Sequence, residues 1–572
     1  MHEAKQPRQK MREKELHVLL AVVAAVFVVF LAAPMVLLLA KSFQTGDGSL
    51  SFASYLAVFQ KFDFLESIGN SLKVSACAGL VAVLLAFLLA YTVNCTNLPK
   101  GLKKAIILLT QLPMLLPTIT YGFAILYSFG RTGLITRMLG GKPLFDIYGF
   151  NGLLIGYVIY TLPTAFLLIH NSFQFVDKKF MIVSRVMGDS KLSTFLRTIV
   201  RPLAGTICVA FVQSFFLSFT DYGIPTSIGG QYNVIAMELF NQMLGSVPDF
   251  NKGAVVAVVM LIPSIVSIVV MAVIERYNIR YSKVTPIEIP RGRLRDTLCG
   301  VGSIVALVAV LQVFVIILIV PFVQMWPYQP NFTLDHIKNL FTSPDLNSVF
   351  FNSLFVSALT AVFGCLLSYA AALITARSHL PKAARRGVDA VSSIVNTVPG
   401  MVLGIGFLFA FTGGPLQSTF AILVICNIVH YFATPYQMMK DSLSKMNASW
   451  ETTARLMGDN WLKTIARIVT PNAAPTILQV FGYYFVNAMV TISAVVFLTG
   501  PYTMVMTTKI SSLQHLGKFD DIFALSLLIL VTNLVVKGIV ALITHKRKAK
   551  AEQPGRNNQQ PNVMKERATN AV

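Results

Sequence analysis

The side chains able to do chemistry in this sequence lie in two settings. The first is a polar frame that occurs twice. Arg185-Val186-Met187-Gly188-Asp189-Ser190-Lys191-Leu192-Ser193-Thr194 returns as Arg455-Leu456-Met457-Gly458-Asp459-Asn460-Trp461-Leu462-Lys463-Thr464. Arg197 or Arg467 follows, then Pro202 or Pro471. These residue types are suited to recognition and not to bond making. Gly188 and Gly458 suit the position just past a helix end, where φ is positive and a Cβ is penalised. Asp189 or Ser190, and Asp459 or Asn460, can cap the next helix. Pro202 and Pro471 are tolerated in a first helical turn. The pattern predicts helix, break, helix. Val183, Val186 and Met187, with Leu456 and Met457, make the first short helix amphipathic, and such a helix needs a groove on a partner.

The second setting is apolar. Asp221 stands in Phe219-Thr220-Asp221-Tyr222-Gly223-Ile224-Pro225. An acid there either lines a pathway or closes a helix end at the interface. Tyr483 and Tyr484 can face a cation or simply pack. Pro113, Pro117 and Pro399 kink the helices that carry them, around a gate or for local packing. Lys537 is predicted to snorkel towards the membrane surface. No G-x-x-x-x-G-K-[ST], H-E-x-x-H or nucleophile elbow occurs, so the chain is not read as an enzyme and is not expected to hold ATP, a metal or another cofactor itself. Cys77, Cys95, Cys208, Cys299, Cys365 and Cys426 form no C-x-x-C pair and read as small hydrophobes.

Composition says what must position these residues. Of 572 residues 55% are hydrophobic and 13% charged, with a mean hydropathy of +0.66. So few charges cannot cover a soluble protein of this size. Apolar blocks of about 20 residues span a bilayer, and in hydrocarbon each must satisfy its own backbone. The sequence predicts an all-α polytopic membrane protein with about twelve transmembrane helices. The first six are 17–40, 70–93, 104–128, 151–171, 203–225 and 253–274. The second six are 299–325, 352–376, 388–411, 415–436, 474–498 and 521–544. The block 17–40 is read as a retained span and not a cleaved signal peptide.

The net charge of +22 needs no nucleic acid. With the N-terminus inside, Lys and Arg on the cytoplasmic side outnumber those outside by roughly three to one, as the positive-inside rule requires. Both termini are then cytoplasmic. Asn70-Ser71-Leu72 recurs as Asn352-Ser353-Leu354, Leu98-Pro99-Lys100 as Leu380-Pro381-Lys382, and Pro117 and Gly122 as Pro399 and Gly404. One offset, 282, relates them all, which predicts two parallel six-helix repeats. The expected organisation is a cytoplasmic N-terminus (1–16), a first half (17–274) with its long cytoplasmic loop at 172–202, a linker (275–298), a second half (299–544) with its loop at 437–473, and a disordered tail (545–572).

The doubled loop resembles the EAA loop of binding-protein-dependent ABC importer permeases, whose pattern is E-A-A-x-x-x-G with a proline about thirteen residues later. Ala454, Gly458 and Pro471 match it. Glu451 stands one position early, with Thr452-Thr453 in place of Glu-Ala. In the first half Ile182-Val183-Ser184 replace the E-A-A and Pro202 comes one residue late. The resemblance implies coupling to an ATPase through Arg185, Met187, Gly188, Asp189, Glu451, Ala454, Met457, Gly458 and Asp459. It implies two ATP-binding cassette subunits that carry the ATP, an extracytoplasmic solute-binding protein, and a place in the cytoplasmic membrane. The solute would cross past Asp221, Tyr483, Tyr484, Pro117 and Pro399. The stretches Phe219–Gly230 and Pro248–Ala254 look most like permeases for 2-aminoethylphosphonate, with ferric iron and thiamine permeases as alternatives. An ion-coupled secondary transporter is the other class. It commonly needs a titratable residue deep in the membrane, and Asp221 is the candidate.

Overall fold

The computed structural model describes residues 14–45, 48–177, 179–275, 292–447 and 449–552. Most of the expected N-terminal segment, most of the linker and the tail beyond Glu552 lie outside the described residues. The last helix, Phe519–Glu552, carries the chain through the first residues of the predicted tail.

The protein is a polytopic membrane protein built on α-helices. Among the described residues, eight helices are long and apolar enough to cross a bilayer, or up to ten if two bent pairs each count as one span. A short antiparallel hairpin, Val323–Met325 with Gln329–Phe332, is the one sheet there. Twelve uninterrupted spans are therefore not what these blocks form. The block at 104–128 is broken into Lys100–Thr110, a 3-10 turn Leu112–Leu115, and Thr118–Phe129. Its counterpart bends by 106° between Lys382–Val395 and Gly400–Phe411. The next pair, Phe420–His430 and Ala433–Ser444, bends by 57°. Proline accounts for the breaks before Thr118 and Gly400. Pro117 and Pro399 force the preceding residue out of the α region, and Leu116 is extended at φ −125°, ψ 148°. The block at 474–498 is helical only as far as Val490.

Elements recur in the same order along the chain. Phe62–Cys95, Lys100–Thr110 and Thr118–Phe129 are followed 282 positions later by Pro344–Ala376, Lys382–Val395 and Gly400–Phe411. The connection after Gly400–Phe411 is shorter than that after Thr118–Phe129, and the offset falls to about 270. Lys179–Val186 then answers to Ser449–Leu456, Arg201–Thr220 to Thr470–Val490, and Ile235–Leu244 to Met506–His515.

The leading helices are exchanged. The first, Glu15–Ser42, packs not on its sequence neighbours alone but on Pro344–Ala376 and Gly400–Phe411. Phe27 meets Phe432 edge-on at 4.6 Å and Phe30 meets Phe411 at 5.6 Å. Arg293–Ile319 makes the reverse crossing onto Phe62–Cys95 and Thr118–Phe129. Ser303 there donates to the Thr92 hydroxyl at 2.7 Å. Each leading helix thus ties the two parts of the chain together. Their remaining faces carry exposed Val, Leu and Ile, as a lipid-facing surface should.

One matched glycine position shows how closely helices pack within the second part of the chain. A Cβ on Gly404 would lie 2.4 Å from the Ala494 carbonyl oxygen. Backbone cannot swing aside as a side-chain tip could. Gly404→Ala should therefore lose roughly 1–3 kcal/mol, read as a lower melting temperature of the purified chain. Gly538→Ala, with open space around it, should melt like the wild type. Equal melting of all three proteins contradicts the packing described.

Candidate functional site

The doubled frame folds the same way twice. Lys179–Val186 starts where Asp177 Oδ1 accepts the Lys179 N–H at 3.0 Å. It ends at Gly188, φ +84°, where the Asp189 N–H donates back to the Ser184 carbonyl at 3.1 Å. Ser449–Leu456 ends at Gly458, φ +85°, with the Asp459 N–H on the Ala454 carbonyl at 2.9 Å. This six-residue closure needs a left-handed residue, and glycine takes it without a Cβ clash. The caps of the following helices are Ser190, which accepts the Ser193 N–H at 3.2 Å, and Asn460, which accepts the Lys463 N–H at 2.9 Å. The aspartates do another job. Asp189 accepts from the Ser184 hydroxyl at 2.6 Å and pairs with Arg197 at 3.4 Å; Asp459 pairs with Lys463. Asp189 thereby braces one short helix against the next, and Asp459 holds the start of the second.

Apolar side chains stand exposed at the loop tips. Val186 and Met187 are 82% and 78% exposed, and Leu456 and Met457 85% and 80%. Ser184 and Ala454, one turn earlier, are buried. Arg185 lies in the first short helix. A π-helical turn then joins each loop to a long helix, Leu196–Val200 before Arg201–Thr220 and Ile465–Val469 before Thr470–Val490. Pro202 and Pro471 sit in the first turn of those helices. A proline ring displaces the carbonyl four residues back, and a widened turn absorbs it.

Glu451 turns inward. Its carboxylate takes both Nε and Nη2 of Arg377, each at 2.6 Å. The same guanidinium donates to the Met446 and Asn447 carbonyls at 3.0 and 2.9 Å. Arg377 directly follows the long helix Pro344–Ala376, so this fork clamps the second loop to the membrane bundle. At the matching positions of the first half stand Cys95 and Met181, both buried. The ion pair of the second loop is replaced there by two buried, uncharged side chains. Sequence reading missed Arg377 because 74 residues separate it from Glu451.

Above the loops a cavity of about 450 Å³ lies among helices of both parts of the chain. Its wall comes in matched positions: Leu116 with Val398, Tyr160 with His430, Thr164 with Thr434, Gln213 with Tyr483, and Asp221 with Thr491. Among the sequence candidates, Asp221, Tyr483 and Pro399 line it. Tyr484 instead packs against Gly364 and shares a 2.8 Å hydrogen bond with Ser368. Pro117 lies just behind the wall, as the residue before the lining Thr118. Tyr160, His430 and Tyr431 also line the cavity. The 270 offset was the signal that could have found the first two. Asp221 both closes a helix end and faces the cavity, with its Oδ2 accepting the Ile224 N–H at 2.9 Å.

The family model for binding-protein-dependent transport system inner membrane components matches residues 80–280 and 368–549. A ferric transport system permease protein of Actinobacillus pleuropneumoniae is 24% identical, over 91% of this chain and 76% of its own length. A Haemophilus influenzae protein named for ferric transport is 24% identical, over 85% and 78% respectively. A Salmonella choleraesuis protein named for 2-aminoethylphosphonate transport is 23% identical, over 44% of this chain and 94% of its own length.

The clamp is open to test by thermal unfolding of the purified chain. Arg377→Gln strands a mostly buried carboxylate, which costs roughly 3 kcal/mol, the lower end for a broken buried pair. Adding Glu451→Gln should recover at least half of the lost melting temperature. A single variant as stable as the wild type would contradict the geometry.

Proposed function

The chain belongs to the binding-protein-dependent transport system inner membrane components, and on that premise we propose that it moves a small solute inward by alternating access between two parallel repeat halves. Permeases of this family are not catalytic themselves; ATP hydrolysis resides on a partner subunit. The proposed halves are 17–274 and 299–544, with both termini on the cytoplasmic side in keeping with the charge distribution. The loops 172–202 and 437–473 are the coupling elements, each docked on one ATP-binding cassette subunit. An extracytoplasmic solute-binding protein delivers the cargo.

One observation carries this reading above the others: the same glycine-closed turn is built twice, and each time it presents two apolar side chains to solvent. Val186 with Met187, and Leu456 with Met457, are unlike the polar tips of ordinary connectors. In the proposed mechanism they fill a cleft on the ATPase. Gly188 and Gly458 set the turn, Asp189 and Asp459 brace it, and Ala454 seats it. Glu451 transmits its movement through Arg377 into the membrane helices. Arg185 shares the first short helix with the docking residues. The matched walls of the cavity support a pathway between two halves.

For the cargo, the relatives named for ferric transport align over most of this chain, whereas the one named for 2-aminoethylphosphonate aligns over less than half of it. That supports ferric iron over the phosphonate as the first solute to assay, with thiamine third.

The test is the pair Gly188→Val and Gly458→Val in one chain. Both sites have open space around them, so each change costs only the left-handed strain of about 1–2 kcal/mol. The variant should reach the membrane in normal amount and bring ATP hydrolysis with it, yet carry solute at less than a tenth of the wild-type rate. Uptake at the wild-type rate would sink the coupling role.

A further inference from the structure

We propose that the cavity between the two parts of the chain recognises the cationic centre of the solute, through Asp221 with Tyr160, Tyr431 and Tyr483. The proposal rests on the permease reading and adds the chemical class of what crosses. Its basis is the charge inventory of the wall. Among the described lining residues Asp221 is the one acidic side chain, and there is no Lys or Arg. The hydrogen bond to its Oδ2 comes from a neutral donor, the Ile224 N–H. The carboxylate is thus held in place without being neutralised by the protein. In surroundings of low dielectric an uncompensated carboxylate attracts a cation and repels an anion far more strongly than in water.

The neighbours agree in sign. Tyr160, Tyr431 and Tyr483 share the wall, and Tyr431 meets Tyr483 edge-on, with ring centroids 6.4 Å apart. Aromatic faces attract cations. His430, at the position matched to Tyr160, has a buried Nδ1 with no hydrogen-bond partner. Asn487 spends its amide N–H on the Tyr483 carbonyl at 2.7 Å, which leaves it an oxygen to offer. Tyrosine rings and the Asn487 oxygen thus stand around one negative charge. The size is that of a small-molecule pocket. Thr491, matched to Asp221, is neutral, so the site has one carboxylate and not two. Among the described residues no three His, Cys, Asp or Glu side chains converge as a metal-holding group. A cation would be held by a single charge, loosely enough to move on.

Two measurements decide the matter, and they do not depend on each other. In the first, the full chain in lipid nanodiscs is treated with a hydrophobic carbodiimide and the modification of Asp221 is followed by mass spectrometry. Thiamine and tetramethylammonium should each slow it at least threefold, and ethylphosphonate, an anion that lacks the ammonium, should not. No protection by either cation, or equal protection by ethylphosphonate, overturns the proposal. This measurement needs no ATPase, so its failure is distinct from failure of the permease reading. In the second, ATP-driven uptake is measured in the assembled complex. Asp221→Asn can still accept the Ile224 N–H and so keeps the helix cap. It should lower uptake at least tenfold, while Asp221→Glu stays within a few-fold of the wild type. Asp221→Asn carrying solute at the wild-type rate overturns the proposal.

Discussion

The structure depends on one constraint: inside a bilayer every backbone N–H and C=O that leaves a helix must find a partner in the protein. The chain breaks its membrane helices at Pro117 and Pro399, and in the first break it covers the groups so released. The Tyr121 hydroxyl donates to the Pro113 carbonyl and, at 3.2 Å, to that of Leu116. Asn533, far along the chain in Phe519–Glu552, donates to the Leu115 carbonyl at 2.9 Å. Irregular backbone is tolerated at membrane depth where it is buried or borders a cavity. Here it borders one. Leu116 and Val398, the residues that precede the two prolines, both line the central space.

The same constraint keeps the long helices continuous between the loops and the cavity. Arg201–Thr220 runs from the first loop to Asp221, and Thr470–Val490 from the second loop to Thr491. Each covers about 30 Å at 1.5 Å per residue. A tilt applied at a loop would reach the cavity wall through a single element, with the π-helical turn at its base as the natural place to bend. The loops are not equal at this task. The Arg377–Glu451 fork joins the second to Pro344–Ala376, while the matched positions of the first hold buried Cys95 and Met181. In the proposed cycle the second half is therefore the more stiffly driven.

Much of this was legible in the sequence because it is local. The glycine-closed turn, the caps and the apolar side chains at the tip follow from residue types at fixed spacing, and they fold as that spacing predicts. The class of protein followed from composition. The number of uninterrupted spans did not, because hydropathy does not register a 106° bend when both arms are apolar. The exchange of the leading helices was hidden for another reason. Nothing in Glu15–Ser42 distinguishes packing on its own half from packing on the other. Arg377 was illegible because its partner is remote in sequence, and Glu451 looked instead like a docking residue. Tyr160 and His430 escaped because the offset between matched elements changes from 282 to about 270 at a shortened connection.

The central claim is that both loops seat on the ATPase. It is tested most directly by placing a photo-crosslinking residue at Val186 or at Leu456 in the intact transporter. The account predicts a crosslink from each position to an ATP-binding subunit, weakened when the loop's own glycine is replaced. Capture from neither position, or from only one of them, would contradict it.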